Sequence, residues 1–177
     1  MDTSHNMSKP IITFVILLLV TARTPPTAAK SWEGITPLRS TADDAAKLSS
    51  SCKETETRCQ FNLDDNEVMI IFSGSKIGVM ECERVPERTV LAIIIKFSHP
   101  KNLPEFKLKN KRYKTFDPSS PPKEGYKTYY DKQDGFMINT FKGQVIGLVY
   151  LATKKDIHLC PEYYEDPKAF VALGLIQ

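Results

Sequence analysis

Apolar residues along the chain fall into short runs, most of them separated by turn-forming residues. The densest run is Thr89–Phe97 (TVLAIIIKF), in which six of nine residues are Val, Leu, Ile or Phe. Such density predicts a central strand that is buried on both faces. Glu67–Phe72 (EVMIIF) predicts a second strand, which follows the turn-like residues Asp64-Asp65-Asn66.

A second group of strands is predicted further along the chain. Tyr126–Asp131, Phe136–Phe141 and Gln144–Ala152 are rich in aromatic and branched residues. The polar stretch Lys132–Gly135 predicts the first turn between them, and Lys142-Gly143 predicts a two-residue hairpin turn. These three strands therefore form a predicted meander.

Helix signals are short and lie outside the two groups of strands. Thr41 precedes Ala42–Leu48, and the acidic residues in the first turn of this segment predict a capped helix. A last helix is predicted over Lys168–Ile176, with a proline at its start. The pattern predicts an α+β fold: a mostly antiparallel sheet of about six strands in two meanders, with short helices on one face. The two groups of strands also raise the hypothesis of diverged halves, 30–116 and 126–177.

The first residues have the pattern of an export signal. A polar start with Lys9 precedes the apolar run Ile11–Val20, which is too short to span a bilayer. Small residues allow cleavage after Ala22 or after Ala29. We predict a signal peptide over residues 1–29, a single domain over 30–177, and a secreted or periplasmic protein with no transmembrane anchor after cleavage.

The cysteines fit an oxidising compartment. The chain has four: Cys52, Cys59, Cys82 and Cys160. An even number in an exported chain predicts disulfides, and four cysteines allow three pairings. One of these closes the polar loop between Cys52 and Cys59, and leaves Cys82 with Cys160. The absence of any C-x-x-C pair argues against zinc, so we predict no metal and no cofactor.

Length, composition and charge exclude several classes of protein. The chain has 177 residues, of which 41% are hydrophobic and 25% charged, and this composition is that of a globular protein. The net charge of +3 excludes a histone-like polycation. The acidic residues at Asp64 and Asp65 lack the alternation of a calcium loop, so they predict a hairpin turn.

The sequence contains no established catalytic motif. No G-x-S-x-G surrounds any serine, and no glycine-rich phosphate loop is present. We therefore predict no catalytic residues and a protein that is not an enzyme. The alternative is a secreted hydrolase that uses Asp131 or Asp134 as acid and base together with His158.

Two groups of residues are candidates for binding. The first is a basic segment, residues 107–114, with five cations in eight residues: Lys107, Lys109, Lys111, Arg112 and Lys114. Such a segment suits an anionic surface, although lysines also protect the edge of a sheet. The second is the pair Tyr129 and Tyr130, since tyrosines exposed on a sheet are typical of protein-binding surfaces. Export argues against nucleic acid as a partner.

The chain resembles a group of small exported bacterial proteins of uncharacterised function. The resemblance rests on Trp32–Thr41 (WEGITPLRST), a helix, a cysteine-flanked hairpin and the closing His158–Pro161 (HLCP). It covers about Trp32 to Pro161, and it implies export, two disulfides and one α+β domain. It supplies no activity.

In layout the chain is similar to the superfamily of β-lactamase-inhibitor proteins and small outer-membrane-assembly lipoproteins. Those domains place a helical segment before an antiparallel sheet and bind other proteins. The chain departs from them where Leu48 is followed by Ser49–Cys52, since that superfamily has Leu-Gly and then Pro. It also lacks a cysteine near the predicted cleavage point for a lipid anchor.

Together these features predict a non-enzymatic exported domain that binds another exported or envelope protein. Its sheet face or the basic segment would contact that partner. Besides the hydrolase, the remaining alternative is a structural envelope component that binds anionic surfaces. Salt would release such a component, because exposed charge contacts are screened within about 8–10 Å at physiological ionic strength.

Overall fold

The structure is a computed structural model that describes residues 30–53, 57–74, 82, 84–106, 113–116 and 124–161. One antiparallel sheet dominates it. Its strands are β1 (Arg58–Leu63), β2 (Asn66–Phe72), β3 (Val90–Asn102), β4 (Lys114–Phe116), β5 (Tyr126–Asp131), β6 (Phe136–Phe141) and β7 (Gln144–Tyr150). The predicted signal peptide and the predicted helix Lys168–Ile176 lie outside the described residues.

The strand order is β1-β2-β3-β7-β6-β5-β4, and every neighbouring pair is antiparallel. Two meanders, β1–β3 and β4–β7, meet where β3 pairs with β7. The predicted antiparallel sheet is confirmed, with seven strands in place of about six. No bounds were predicted for β1 or for β4, and β4 lies at the end of the basic segment and has only three residues.

The described helical content is small, so this part of the chain is mainly β and supports α+β only roughly. Helix α1 spans Ala42–Ala45, and three further segments are 3₁₀ turns: Ser50–Cys52, Leu103–Phe106 and Ile157–Leu159. The predicted cap is confirmed, because Thr41 and Asp44 form a reciprocal capping box. The helix ends earlier than predicted, since Ser49 caps the next 3₁₀ turn and Cys52 is tied to β1.

Apolar side chains cover both faces of the sheet. On one, the N-terminal face, Ile35 and α1 pack against β-strand residues that include Ile93 and Ile95. On the other, the C-terminal face, Leu151 and Cys160 pack against residues that include Met137. The prediction that the central apolar strand is buried on both faces is therefore confirmed, since Val90–Ile93 of β3 are all fully buried.

Each face has its own disulfide. Cys52–Cys59 joins the 3₁₀ turn after α1 to β1 within the N-terminal core. Cys82–Cys160 lies within the C-terminal core and joins residues 78 positions apart. The described residues include no helix that is long and apolar enough to cross a membrane.

Candidate functional site

Two clefts open at the end of the sheet where β1 turns into β2. The larger, which we call the polar cleft, has a volume of about 530 Å³ and is lined by Asn62, Asp64, Asp65, Glu67, Lys96, Phe97 and Ser98. The smaller, the aromatic cleft, has a volume of about 220 Å³. It is lined by Trp32, Glu33, Leu63, Asp64, Asn66, Ile95, Phe97, Lys101, Phe106, Leu148 and Tyr150. The two clefts share Asp64 and Phe97.

The floor of the aromatic cleft belongs to the N-terminal face. Ile95 of β3 and Leu148 of β7 are paired across the strands and are almost fully buried. Both residues belong to the N-terminal core, because their side chains lie on the same face of the pleated sheet. The floor is therefore rigid and apolar.

A tight turn holds Trp32 over this floor. The backbones of Trp32 and Ile35 exchange two hydrogen bonds of 2.9 and 2.8 Å. Glu33 and Gly34 between them both have positive φ, at 48° and 80°, as a type I′ turn requires. Ile35 is buried and anchors the turn, and the half-buried Trp32 packs against the N-terminal core.

The opposite wall comes from an irregularity in β3. Its pairing with β7 is regular up to Lys96 and resumes at Lys101 after a shift of register. The 3₁₀ turn that follows returns Phe106 to Phe97, and their ring centroids are 6.3 Å apart. The Lys101 Nζ atom lies 4.3 Å from the centroid of the Phe97 ring, so this wall carries a cation on an aromatic face.

Tyr150 of β7 completes the lining. Its ring meets Phe136 edge to face, with 5.0 Å between centroids. Burial raises the pKa of Tyr150, and the negative charge of Glu33 raises it further. Beyond Tyr150, the Lys30 Nζ atom lies 3.9 Å from the centroid of the Phe136 ring. The cleft thus has an apolar floor, aromatic walls and a charged rim.

The polar cleft lies between charged side chains on neighbouring strands. Lys96 on β3 and Glu67 on β2 form an ion pair of 3.5 Å, and Gln60 donates a hydrogen bond to Glu67. Asp64 and Asp65 have φ of 49° and 63° in the β1–β2 connection, which confirms the predicted hairpin turn. Across the described ranges, no three His, Cys, Asp or Glu residues are grouped to hold a metal ion.

Of the predicted binding residues, the described structure includes Lys114, Tyr129 and Tyr130, which lie on the neighbouring strands β4 and β5. Lys107, Lys109, Lys111 and Arg112 lie outside the described residues. Lys114 is exposed in β4, opposite Tyr130. Tyr129 is half-buried, with the Lys127 ammonium 5.3 Å from its ring centroid.

Tyr130 has a different position from the one predicted. Its side chain is only 4% exposed and packs in the C-terminal core with Met137 and Val149. Its hydroxyl has no hydrogen-bond partner among the described residues. This ring is therefore part of the core and is not displayed to a partner, because alternation in β5 turns it toward the C-terminal face.

The residues of the hydrolase hypothesis have local roles. The Asp131 carboxylate accepts hydrogen bonds from the backbone N–H groups of Gln133 and Asp134, at 3.0 and 3.3 Å. It is paired with Phe136 of the N-terminal core. His158 is exposed, and its Nδ1 atom lies 2.7 Å from the carbonyl oxygen of Lys155. The 3₁₀ turn that carries His158 packs against the C-terminal core.

Sequence reasoning missed most of the aromatic cleft. Tyr150 was recognisable as one of several aromatic residues in the second meander, and Trp32 as the start of the WEGITPLRST motif. Alternation within β3 places Phe97 on the same face as Ile95, so the position of Phe97 on the N-terminal face was predictable from the sequence. No pattern in the sequence points to Phe106.

Comparison with known proteins adds no further constraint. No protein-family model, no curated protein and no solved structure matches the chain. The resemblance to small exported bacterial proteins therefore stays a prediction.

Proposed function

We propose that the chain is an exported, non-enzymatic domain that binds another protein through the aromatic cleft. One observation carries the proposal. Four aromatic side chains, Trp32, Phe97, Phe106 and Tyr150, are only half-buried and surround one small cleft. A protein-binding surface uses such rings as anchors, because aromatic residues dominate the binding energy of interfaces.

The proposal gains support from the way the rings are held. The floor is two paired strands, Trp32 is fixed by a two-residue turn, and Phe106 is fixed by a 3₁₀ turn. Side chains that are ordered before binding lose less conformational entropy when a partner arrives. Complete burial of an exposed ring contributes about 1.5–3 kcal/mol. These rings are already partly covered, so each adds less than this, and the surface around the cleft must contribute to a specific contact as well.

The predicted export supports the same proposal. Two disulfides lie within the described residues, as is typical of proteins that work in an oxidising compartment. We infer from the signal-like sequence at residues 1–29 that the partner is another exported or envelope protein.

A capture experiment with matched variants tests the proposal. The oxidised full chain serves as bait for extracts of its own cell envelope and culture fluid, at low and moderate salt. A variant with Phe97→Ala and Phe106→Ala should lose a salt-resistant partner about tenfold or more, which corresponds to about 1.4 kcal/mol. Phe141→Ala is the control, because Phe141 is also a half-buried ring but packs against Tyr126 and does not line the cleft.

The outcomes separate the hypotheses. If the control variant and the cleft variant lose capture of the partner equally, the aromatic cleft is not the binding surface. Capture that disappears at moderate salt would assign binding to the basic segment 107–114 and would overturn the proposal. Unfolding midpoints measured for each variant show whether a loss of capture reflects binding or folding.

A further inference from the structure

We propose that the aromatic cleft accepts a cationic side chain of the partner, an arginine or a lysine. This inference rests on the proposed function and specifies the chemistry of the group that the cleft binds.

The ring faces around the cleft already hold cations. The ammonium group of Lys101 lies 4.3 Å from the centroid of Phe97. On the other side of Tyr150, the ammonium group of Lys30 lies 3.9 Å from the centroid of Phe136. Both distances are within the reach of about 6 Å over which an aromatic face attracts a cation. Trp32, which belongs to the residue type with the strongest attraction for cations, lines the same cleft as Phe97 and Lys101.

Carboxylates stand at the rim of the cleft. Glu33 and Asp64 are both exposed lining residues, and the negative charge of Glu33 contributes to the raised pKa of Tyr150. Asp65 lies in the adjacent polar cleft, where Glu67 is paired with Lys96, so Glu33, Asp64 and Asp65 face only Lys101 among the cations that line the two clefts. The local charge therefore favours a positive group from a partner over a negative one, and it would also accelerate the encounter.

The size of the cleft favours a single side chain. Its volume of about 220 Å³ is below the ~300–1,000 Å³ of cavities that enclose a drug-sized ligand. A long basic side chain places its aliphatic stem on Ile95 and Leu148 and its charged end between the rings. A planar guanidinium also stacks on aromatic faces, so arginine suits this geometry better than lysine.

Lys101 occupies part of this position in the free protein. Its side chain is exposed, and its ammonium covers the Phe97 face that a partner would use. Binding of an external cation therefore displaces an internal one. Removal of Lys101 should strengthen the binding of a cationic ligand, whereas it would weaken the binding of an anionic ligand.

Fluorescence of Trp32 provides a reporter inside the cleft, because Trp32 is the only tryptophan in the chain. The oxidised full chain is titrated with N-acetyl-arginine amide. The citrulline analogue is the matched control ligand, since it has nearly the same shape and no charge. We expect a saturable change in Trp32 emission with the arginine ligand and at least about tenfold weaker binding of the citrulline ligand, a difference of about 1.4 kcal/mol.

Three variants sharpen the test. Lys101→Met should bind the arginine ligand several-fold more tightly, Glu33→Gln should bind it several-fold more weakly, and Phe141→Ala should bind it as the wild type does. Equal binding of arginine and citrulline ligands would overturn the inference, as would weaker binding by Lys101→Met. Emission changes with phosphatidylcholine vesicles and none with the arginine ligand would also overturn it.

The two proposals fail in different ways. If the arginine ligand does not bind but capture of a partner still depends on Phe97 and Phe106, the cationic specificity is wrong and the aromatic cleft remains the binding surface. If capture is indifferent to Phe97 and Phe106, the proposed function itself is contradicted.

Discussion

At the scale of single residues, Tyr130 has an unfavourable environment. Its hydroxyl lies in the C-terminal core beside apolar side chains and lacks a partner within the described part of the chain. An unsatisfied buried hydroxyl costs about 1–3 kcal/mol. Burial, with a further contribution from the negative charge of Asp131, raises the pKa of Tyr130 from 10.0 to about 12.

Replacement of Tyr130 by phenylalanine should therefore stabilise the fold. We expect Tyr130→Phe to raise the free energy of unfolding in urea by about 1 kcal/mol at neutral pH. The unfolded chain releases the Tyr130 proton near pH 10 and the folded chain near pH 12, so wild-type stability falls between these values. The variant should lose less stability there. Tyr129→Phe is the control, and a less stable Tyr130→Phe would contradict this account.

At the scale of elements, the junction of β3 and β7 joins the two meanders. Gly147 of β7 lies opposite Lys96, at the last regular pair before the shift of register in β3. A Cβ atom at Gly147 would lie 2.6 Å from the carbonyl oxygen of Ile95. That oxygen belongs to the backbone of a central strand, so neither group can move away without disturbing the sheet.

The close approach at this junction makes Gly147→Ala strongly destabilising. We expect a loss of about 1–3 kcal/mol in the free energy of unfolding, as for other overpacked sites. Gly143→Ala is a suitable comparison, because its Cβ would meet no atom within 4 Å and its cost arises only from a φ of 80°. A Gly147→Ala variant that unfolds at the wild-type urea concentration would show that the strands separate easily.

The strands that have a hydrophobic pattern of their own were predicted correctly from the sequence. β2, β3 and the β5–β7 meander follow from their apolar runs and turn residues. β4 has no such pattern, since it is a strand only because it pairs with Thr128–Tyr130. The aromatic cleft was not predicted for a related reason: Trp32 and Phe106 line the same cleft although they are distant in sequence. Alternation predicts the face of the sheet on which Phe97 lies, but it does not predict that Phe97 lies beside Phe106 and Lys101.

At the scale of the whole molecule, the two disulfides make different connections: Cys52–Cys59 joins a covering segment to β1, whereas Cys82–Cys160 joins two segments that lie outside the strands. Cys52–Cys59 closes a short loop with a sequence separation of 7, whereas Cys82–Cys160 closes one with a separation of 78. Constraint of the unfolded chain grows with the length of the closed loop. The longer crosslink also spans the junction of the two meanders, since Cys82 precedes β3 and Cys160 follows β7.

The two disulfides should therefore contribute unequally to stability. Loop entropy gives about 2.5 kcal/mol for Cys52–Cys59 and about 4.5 kcal/mol for Cys82–Cys160. We expect a paired Cys82→Ala and Cys160→Ala variant to unfold at lower urea than a paired Cys52→Ala and Cys59→Ala variant. The reverse order would show that interactions of the unfolded chain, or packing of the alanines, outweigh loop entropy.

The strand order has a consequence for the newly made chain. β3 is the strand with the most completely buried apolar residues, and one of its two neighbours, β7, is the last of the described strands to be synthesised. Until residues 144–150 emerge, β3 has β2 on one side and an open row of backbone N–H and C=O groups on the other. An apolar edge of this kind recruits other strands and leads to aggregation. Biosynthesis of this protein therefore includes an interval in which a chaperone that shields Val90–Lys96 would raise the yield of folded molecules.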